Sequence, residues 1–146
     1  MSVERWRRGL PGLWAGALIA FAAVATPAAF ALLPQADAGR VVARILAQEA
    51  HASLALGALL VGLERVSARR FADEGGPQFT PGLVLALLTV FCTVLGYFAL
   101  QPLMAAARAG QGSFSFGQLH AVSALLYAVK LCAVLALTWR AARPGA

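Results

Sequence analysis

Four apolar runs, each about as long as a membrane span of roughly 20 residues, recur along this chain and restrict its fold more than any other feature. A helix of that length crosses the hydrocarbon core of a bilayer. The runs cover approximately residues 11–33, 44–64, 81–104 and 117–139. We therefore predict one domain, residues 1–146, that folds as an all-α integral membrane four-helix bundle.

The composition supports a membrane protein and argues against nucleic-acid binding. Hydrophobic residues make up 60% of the chain and charged residues only 12%, which is outside the range of soluble globular domains. The formal charge of +6 comes from arginines grouped at the ends of the apolar runs, where they contact lipid headgroups. We expect the lipid bilayer to be the main partner.

Three prolines lie within or directly after the first run. Pro11 suits the first turn of a helix, Pro27 lies inside the run and predicts a kink, and Pro34 predicts its end. The basic start followed by "ADA" at residues 36–38 also imitates a cleavable signal peptide. The run is longer than the roughly 7–15 apolar residues of a leader, which favours a retained span, with cleavage as the alternative.

The second run is the most polar of the four. Asp37 is a candidate cap, and the polar turn that includes Glu49 must be lined by protein or water if it lies in the membrane. We expect the Glu49 carboxylate to pair with a neighbouring base or to cap local polarity, with a role in carboxylate-based transport as the alternative. A face that begins with Arg44, Gln48 and His51 and continues into small residues predicts packing against another helix. Residues 64–79 are predicted to form the longest loop.

Helix starts are marked clearly before the last two runs. Thr80 followed by Pro81 is a cap with proline in the first turn, and the third run is expected to end near Pro102. Ser115 with Gln118 three residues later predicts a capping box for the fourth helix.

Arginines beside the runs predict the orientation. Eight fall on one side, namely Arg5, Arg7, Arg8, Arg65, Arg69, Arg70, Arg140 and Arg143, and three fall on the other, namely Arg40, Arg44 and Arg108. The positive-inside rule then places both termini in the cytoplasm. Abundant alanine, with arginine used far more than lysine, is typical of GC-rich bacteria, so we expect a multi-pass protein of the bacterial inner membrane.

Polar side chains on the fourth run share one face. On a helical wheel His120, Ser123, Tyr127 and Lys130 fall within about 80° of one another. A lysine that faced lipid at mid-membrane would cost roughly 2.5–3.5 kcal/mol. This stripe is therefore predicted to face the bundle interior or a water-filled cleft, where it forms a polar site or joins neighbouring helices by hydrogen bonds.

Three classes of function are open at this level. The first is a small non-enzymatic accessory in transport or stress, whose interior polar site is the stripe on the fourth run. The second is a heme- or copper-binding protein that uses His120, alone or with His51. The third is a structural subunit or assembly factor, with a second copy or another membrane protein as partner. The sequence contains no hydrolase, phosphate-loop or zinc-protease motif, and Cys92 and Cys132 lack ligand spacing.

Short motifs in a fixed order resemble a known family. In the first half, a tryptophan begins a span that contains Pro27, Phe30 and Leu33, and Ala38 and Gly39 follow it. In the second half, "QPLM", which contains Pro102, precedes "LHAVS", which contains His120 and Ser123. Over residues 12–138 this resembles the family catalogued as domain of unknown function 4149 (DUF4149), which is similar to the transmembrane protein 205 group. The resemblance implies four membrane helices without implying a mechanism. A remote similarity to copper-resistance D-type membrane proteins supports the heme or copper alternative, although His51 departs from the closer family's pattern.

Overall fold

Four long helices form the chain in a computed structural model that describes residues 3–73, 77 and 79–143. Helix α1 consists of Val3–Ala20, a wider π-helical turn at Phe21–Ala25, and Thr26–Leu32. Helix α2 is Gln35–Asp73, and α4 is Phe116–Ala142. Helix α3 consists of Pro81–Thr93, a second π-helical turn at Val94–Ala99, and Leu100–Arg108. The described residues contain no strand. All four helices are long and apolar enough to cross a membrane, so the predicted all-helical bundle is confirmed.

The local signals for helix starts act as expected. The Thr80 hydroxyl accepts a hydrogen bond from the backbone N–H of Leu83 at 3.2 Å. Ser115 and Gln118 form a reciprocal capping box, with bonds of 3.2 and 2.9 Å. Because capping depends only on residues a few positions apart, it could be predicted without knowing the tertiary fold.

Helix α2 is longer than the sequence suggested at both ends. It begins at Gln35, so Asp37 lies in its first turn and pairs with Arg40 instead of capping the helix. It continues to Asp73, so the predicted loop over residues 64–79 is wrong for most of its length. The reason is that residues 64–73 contain neither glycine nor proline, and Ala68 in their middle is buried. Helix α3 likewise continues past Pro102 to Arg108.

A π-helical turn precedes a proline in both α1 and α3. Pro27 follows the first turn and Pro102 follows the second. Proline has no N–H to donate to the carbonyl four residues earlier, and a wider turn absorbs the resulting break in the hydrogen-bond ladder. The irregularity expected at Pro27 therefore takes this form, and α1 ends at Leu32, just before Pro34, as predicted.

The two halves of α1 have different neighbours. Its first half, through Ala20, packs against α4 and α2, where Trp14 and Leu18 join the central core with Leu60 and Val134. In its second half, Thr26–Leu32 packs against α2, and no part from Phe21 onwards makes extended contact with α4. A gap therefore separates the second half of α1 from α4.

The predicted packing face of α2 is wrong. Arg44, Gln48 and His51 are all exposed, and nothing lies within 4 Å of a Cβ atom added at Gly62, farther along the same face. Another face of α2 packs in the bundle instead: Gly57 is so close to α1 and α3 that an added Cβ would lie 2.9 Å from Val90. The backbone approach at Gly57 therefore determines which side of α2 is buried.

Candidate functional site

A cleft of about 540 Å³ extends into the bundle between all four helices. We call the end lined by Phe116 and the exposed Arg108 and His120 the mouth. The end lined by the buried Glu49 and Lys130 is the floor. Lys130 is the fifteenth of the 27 residues of α4, so the floor lies near the middle of that helix. From Phe116 to Lys130 the cleft extends roughly 21 Å, at about 1.5 Å per residue.

An ion pair forms the floor. Lys130 Nζ donates to Glu49 Oε1 at 2.7 Å, and the two side chains are only 4% and 5% exposed. Ser53, one turn farther along α2, donates to the same carboxylate oxygen, and its hydroxyl oxygen accepts from Lys130 Nζ at 3.4 Å and from Trp14 Nε1 at 3.0 Å. The network joins α1, α2 and α4. No buried side-chain N or O among the described residues lacks a partner, so the charges are held without an orphaned group.

Two side-chain hydroxyls of α4 that line the cleft donate hydrogen bonds to backbone carbonyls of α1 and α3, at or near the π-helical turns. Ser123 Oγ donates to the Gly96 carbonyl at 2.8 Å, within the π-helical turn of α3. Tyr127 OH donates to the Leu18 carbonyl at 2.8 Å, three residues before the π-helical turn of α1. The Tyr127 ring also covers Lys130 Nζ at 4.7 Å from its centroid. In a membrane, backbone carbonyls near such turns have no water to bond, and side-chain hydroxyls satisfy them.

The mouth is cationic and aromatic. The Arg108 guanidinium lies 4.3 Å from the centroid of the Phe116 ring, and the exposed His120 ring stacks on the same ring at 5.7 Å. Among the described residues no carboxylate pairs with Arg108. Asp37, in the first turn of α2, pairs with Arg40 instead. The mouth therefore presents a positive charge that is free for a ligand.

The four stripe residues predicted on α4 all line this one cleft. His120 lies at the mouth, Ser123 and Tyr127 along the wall, and Lys130 at the floor. His51 does not line it: this exposed side chain donates from Nδ1 to the Ala47 carbonyl at 2.7 Å, and its ring meets Phe98 edge-on.

Other candidate ligands for a metal are dispersed. Cys92 is buried in the cleft wall, whereas Cys132 is exposed, and both are free thiols. In the part of the chain that the structure describes, no three His, Cys, Asp or Glu side chains cluster in a way that could hold a metal ion.

Sequence reasoning missed the residues that complete the floor. Glu49 was expected to pair with a neighbouring base, yet its partner is Lys130, 81 positions away on another helix. The available signal was charge balance: a carboxylate and the single lysine of the chain both occur inside apolar runs, and such charges pair with each other in membranes. For Ser53 and Trp14, the sequence showed only that a residue with a polar group lies within a predicted span, which does not identify a partner.

A second ion pair was also missed, at the opposite end of the bundle. Arg7 Nη1 lies 3.4 Å from Glu64 Oε1, and the Glu64 side chain is buried against Gly82 at the start of α3. Arg7 and Arg140 line the same small pocket, so α1 begins and α4 ends on the same side of the bundle.

The remaining residues of the family resemblance lie around the cleft. Phe30 and Gly39 line it, while Pro27 and Pro102 follow the two π-helical turns. Comparison with curated proteins and with solved structures gives no match. A family model described as domain of unknown function matches residues 10–113, which include most of α1 and all of α2 and α3 but not α4 with His120 and Ser123. The chain therefore belongs to the DUF4149 family, domain of unknown function 4149.

Proposed function

We propose that this chain is a small non-enzymatic protein of the bacterial inner membrane that binds a ligand in its cleft, as a transport or stress-related accessory. The observation that carries the proposal is that His120, Ser123, Tyr127 and Lys130 all line one cavity that ends on a satisfied ion pair. A cavity of 540 Å³ is within the range of about 300–1,000 Å³ typical of ligand pockets.

The polar groups of the cleft support binding rather than catalysis. Lys130, Ser123 and Tyr127 already use their donors on Glu49 and on backbone carbonyls, so they hold the walls in place. At the mouth, the exposed His120 and Arg108 remain available to orient a ligand. Apolar walls with a few placed polar groups are typical of binding sites for small molecules.

Filling the cleft tests the proposal. Ala124 lines the cleft on α4, whereas its neighbour Leu125 does not line it and is 65% exposed. We expect native mass spectrometry of the protein, released from its membranes in mild detergent, to show a bound small molecule in the wild type and in Leu125→Trp. Ala124→Trp should retain the fold, checked by circular dichroism, and lose the adduct.

Two outcomes would contradict ligand binding in the cleft. One is a wild-type protein without any adduct, and the other is an adduct that Ala124→Trp retains at the wild-type level. Because both tryptophans add the same bulk at consecutive positions of α4, a general effect of size would appear in both variants.

Heme or copper binding is the second candidate, favoured by the exposed position of His120 at the mouth. Since His51 lies outside the cleft, a site using both histidines has no support from the lining residues. Purified protein supplied with heme or Cu²⁺ should then show an absorption band or bound metal that His120→Ala abolishes and His51→Ala preserves. Colourless, metal-free protein would contradict this candidate.

A structural or assembly role is the third candidate, and the exposed polar face of α2 with Arg44, Gln48 and His51 is the surface that favours it. Cross-linking in membranes followed by mass analysis would reveal a homo-oligomer or a defined partner. A single uncomplexed chain would count against this role.

A further inference from the structure

We propose that the ligand of the cleft is an acyl chain of an anionic membrane lipid, which enters sideways between α1 and α4 with its headgroup at Arg108. The inference rests on the proposed ligand-binding function and adds the chemical class of the ligand and its route. Three independent features of the structure support it: the side opening, the depth of the cleft and the charge at its mouth.

The side opening faces the position of lipid. Only the first half of α1 packs on α4; in the second half, from Phe21 onwards, Thr26–Leu32 packs on α2. Residues on both borders of the resulting gap line the cleft and are exposed, namely Ala22 and Phe30 on α1 and His120 and Ala124 on α4. An apolar gap at membrane depth is in contact with acyl chains, so a lipid can enter without crossing water.

The depth of the cleft matches one leaflet. Its length along α4, from Phe116 to Lys130, is roughly 21 Å, at about 1.5 Å per residue. One leaflet contributes about 15 Å of hydrocarbon, half of a core of about 30 Å, and the headgroup region adds to it. The floor therefore meets the end of an acyl chain, where Glu49 and Lys130 are buried and already paired with each other.

The charge at the mouth selects the headgroup. Arg108 has no carboxylate partner among the described residues and lies at the level where a headgroup would sit if the acyl chain filled the cleft. A guanidinium binds a phosphate through charge-assisted and often bidentate hydrogen bonds. Arg44 is likewise exposed but does not line the cleft, and it provides a control of the same charge.

Defined lipids test the inference. Delipidated protein is mixed with phosphatidylglycerol or phosphatidylcholine of identical acyl chains, and occupancy is measured by native mass spectrometry. We expect the wild type to prefer phosphatidylglycerol, and Arg108→Gln to reduce that preference roughly fivefold, the factor for one basic residue near an anionic lipid. Arg44→Gln should keep the wild-type preference, and Ala124→Trp should bind neither lipid.

The outcomes separate this inference from the proposed function. Equal binding of the two lipids by the wild type, or equal effects of Arg108→Gln and Arg44→Gln, would overturn the assignment of an anionic headgroup bound at Arg108 while the cleft remained a binding site. Binding of neither lipid, with a native adduct still lost in Ala124→Trp, would likewise show that the ligand belongs to another class. A lipid that Ala124→Trp binds as well as the wild type would place the lipid outside the cleft.

Discussion

At the scale of single residues, the floor of the cleft shows how a membrane bundle can contain charge. Lys130 is surrounded by one carboxylate, one hydroxyl and one aromatic ring, supplied by Glu49, Ser53 and Tyr127. A lysine without these partners would be costly at mid-membrane. Ser53 is central because its single hydroxyl bonds with Glu49, Lys130 and Trp14.

Replacing Ser53 should therefore destabilise the bundle. Ser53→Ala leaves the buried Trp14 indole N–H without its acceptor and removes a donor from Glu49, and we expect a loss of about 1–3 kcal/mol in the free energy of unfolding. Reversible unfolding in mixed micelles measures the loss. The control is Ala52→Ser, at an exposed position beside it, which should change stability by no more than about 0.5 kcal/mol. Equal effects of the two substitutions would contradict the proposed role of Ser53.

At the scale of helices, close backbone approach determines which faces meet. Gly57 of α2 lies against Val90 and Thr89 of α3 and the Trp14 ring of α1, whereas Gly62 on the exposed face of the same helix has nothing within 4 Å of a Cβ. This contrast explains why the small-residue face predicted to be buried is exposed: small size permits close packing without requiring it.

The two glycines should therefore respond to the same substitution with opposite signs. Gly57→Ala places a methyl group against Val90 and is expected to cost about 1–3 kcal/mol through overpacking. Gly62→Ala meets only open space and should stabilise the helix by about 0.5–1 kcal/mol through reduced backbone entropy. Thermal unfolding in detergent measures both changes. Destabilisation by Gly62→Ala equal to that by Gly57→Ala would show that both faces of α2 are packed.

The limits of sequence-based prediction follow from the range of the interactions involved. The caps at Thr80 and Ser115 and the shared face of His120 and Lys130 depend on neighbours within one helix, so a single sequence is enough to predict them. The partner of Lys130 lies on α2, and the gap beside α4 depends on where α1 changes neighbours after its π-helical turn. Such features arise from the packing of distant segments, which periodicity alone does not encode.

At the scale of the whole molecule, the distribution of arginines predicts an orientation in the membrane. The cleft opens at the end with fewer arginines, which the positive-inside rule places outside the cytoplasm. The proposed lipid would then come from the outer leaflet of the inner membrane. Both termini would be cytoplasmic, at the end where Arg7 and Arg140 line one pocket.

Labelling with a membrane-impermeant maleimide tests this orientation. Ser113 and Phe79 are exposed in loops at opposite ends of the bundle, and Cys92→Ala with Cys132→Ala removes the natural thiols. Ser113→Cys should react in spheroplasts, whose inner membrane is intact, and Phe79→Cys only after that membrane is permeabilised. The reverse pattern would invert the orientation and move the cleft to the cytoplasmic leaflet.

The coupling free energy between Glu49 and Lys130 is the most direct test of the cleft, because its floor exists only if these side chains meet. It is obtained from the stabilities of Glu49→Gln, Lys130→Met and the double variant. Each single substitution leaves a buried group without its partner and should cost about 3–5 kcal/mol, while the double variant should cost much less than the sum. Costs that simply add would show that Lys130 does not face Glu49 and would contradict a cleft that ends on this ion pair.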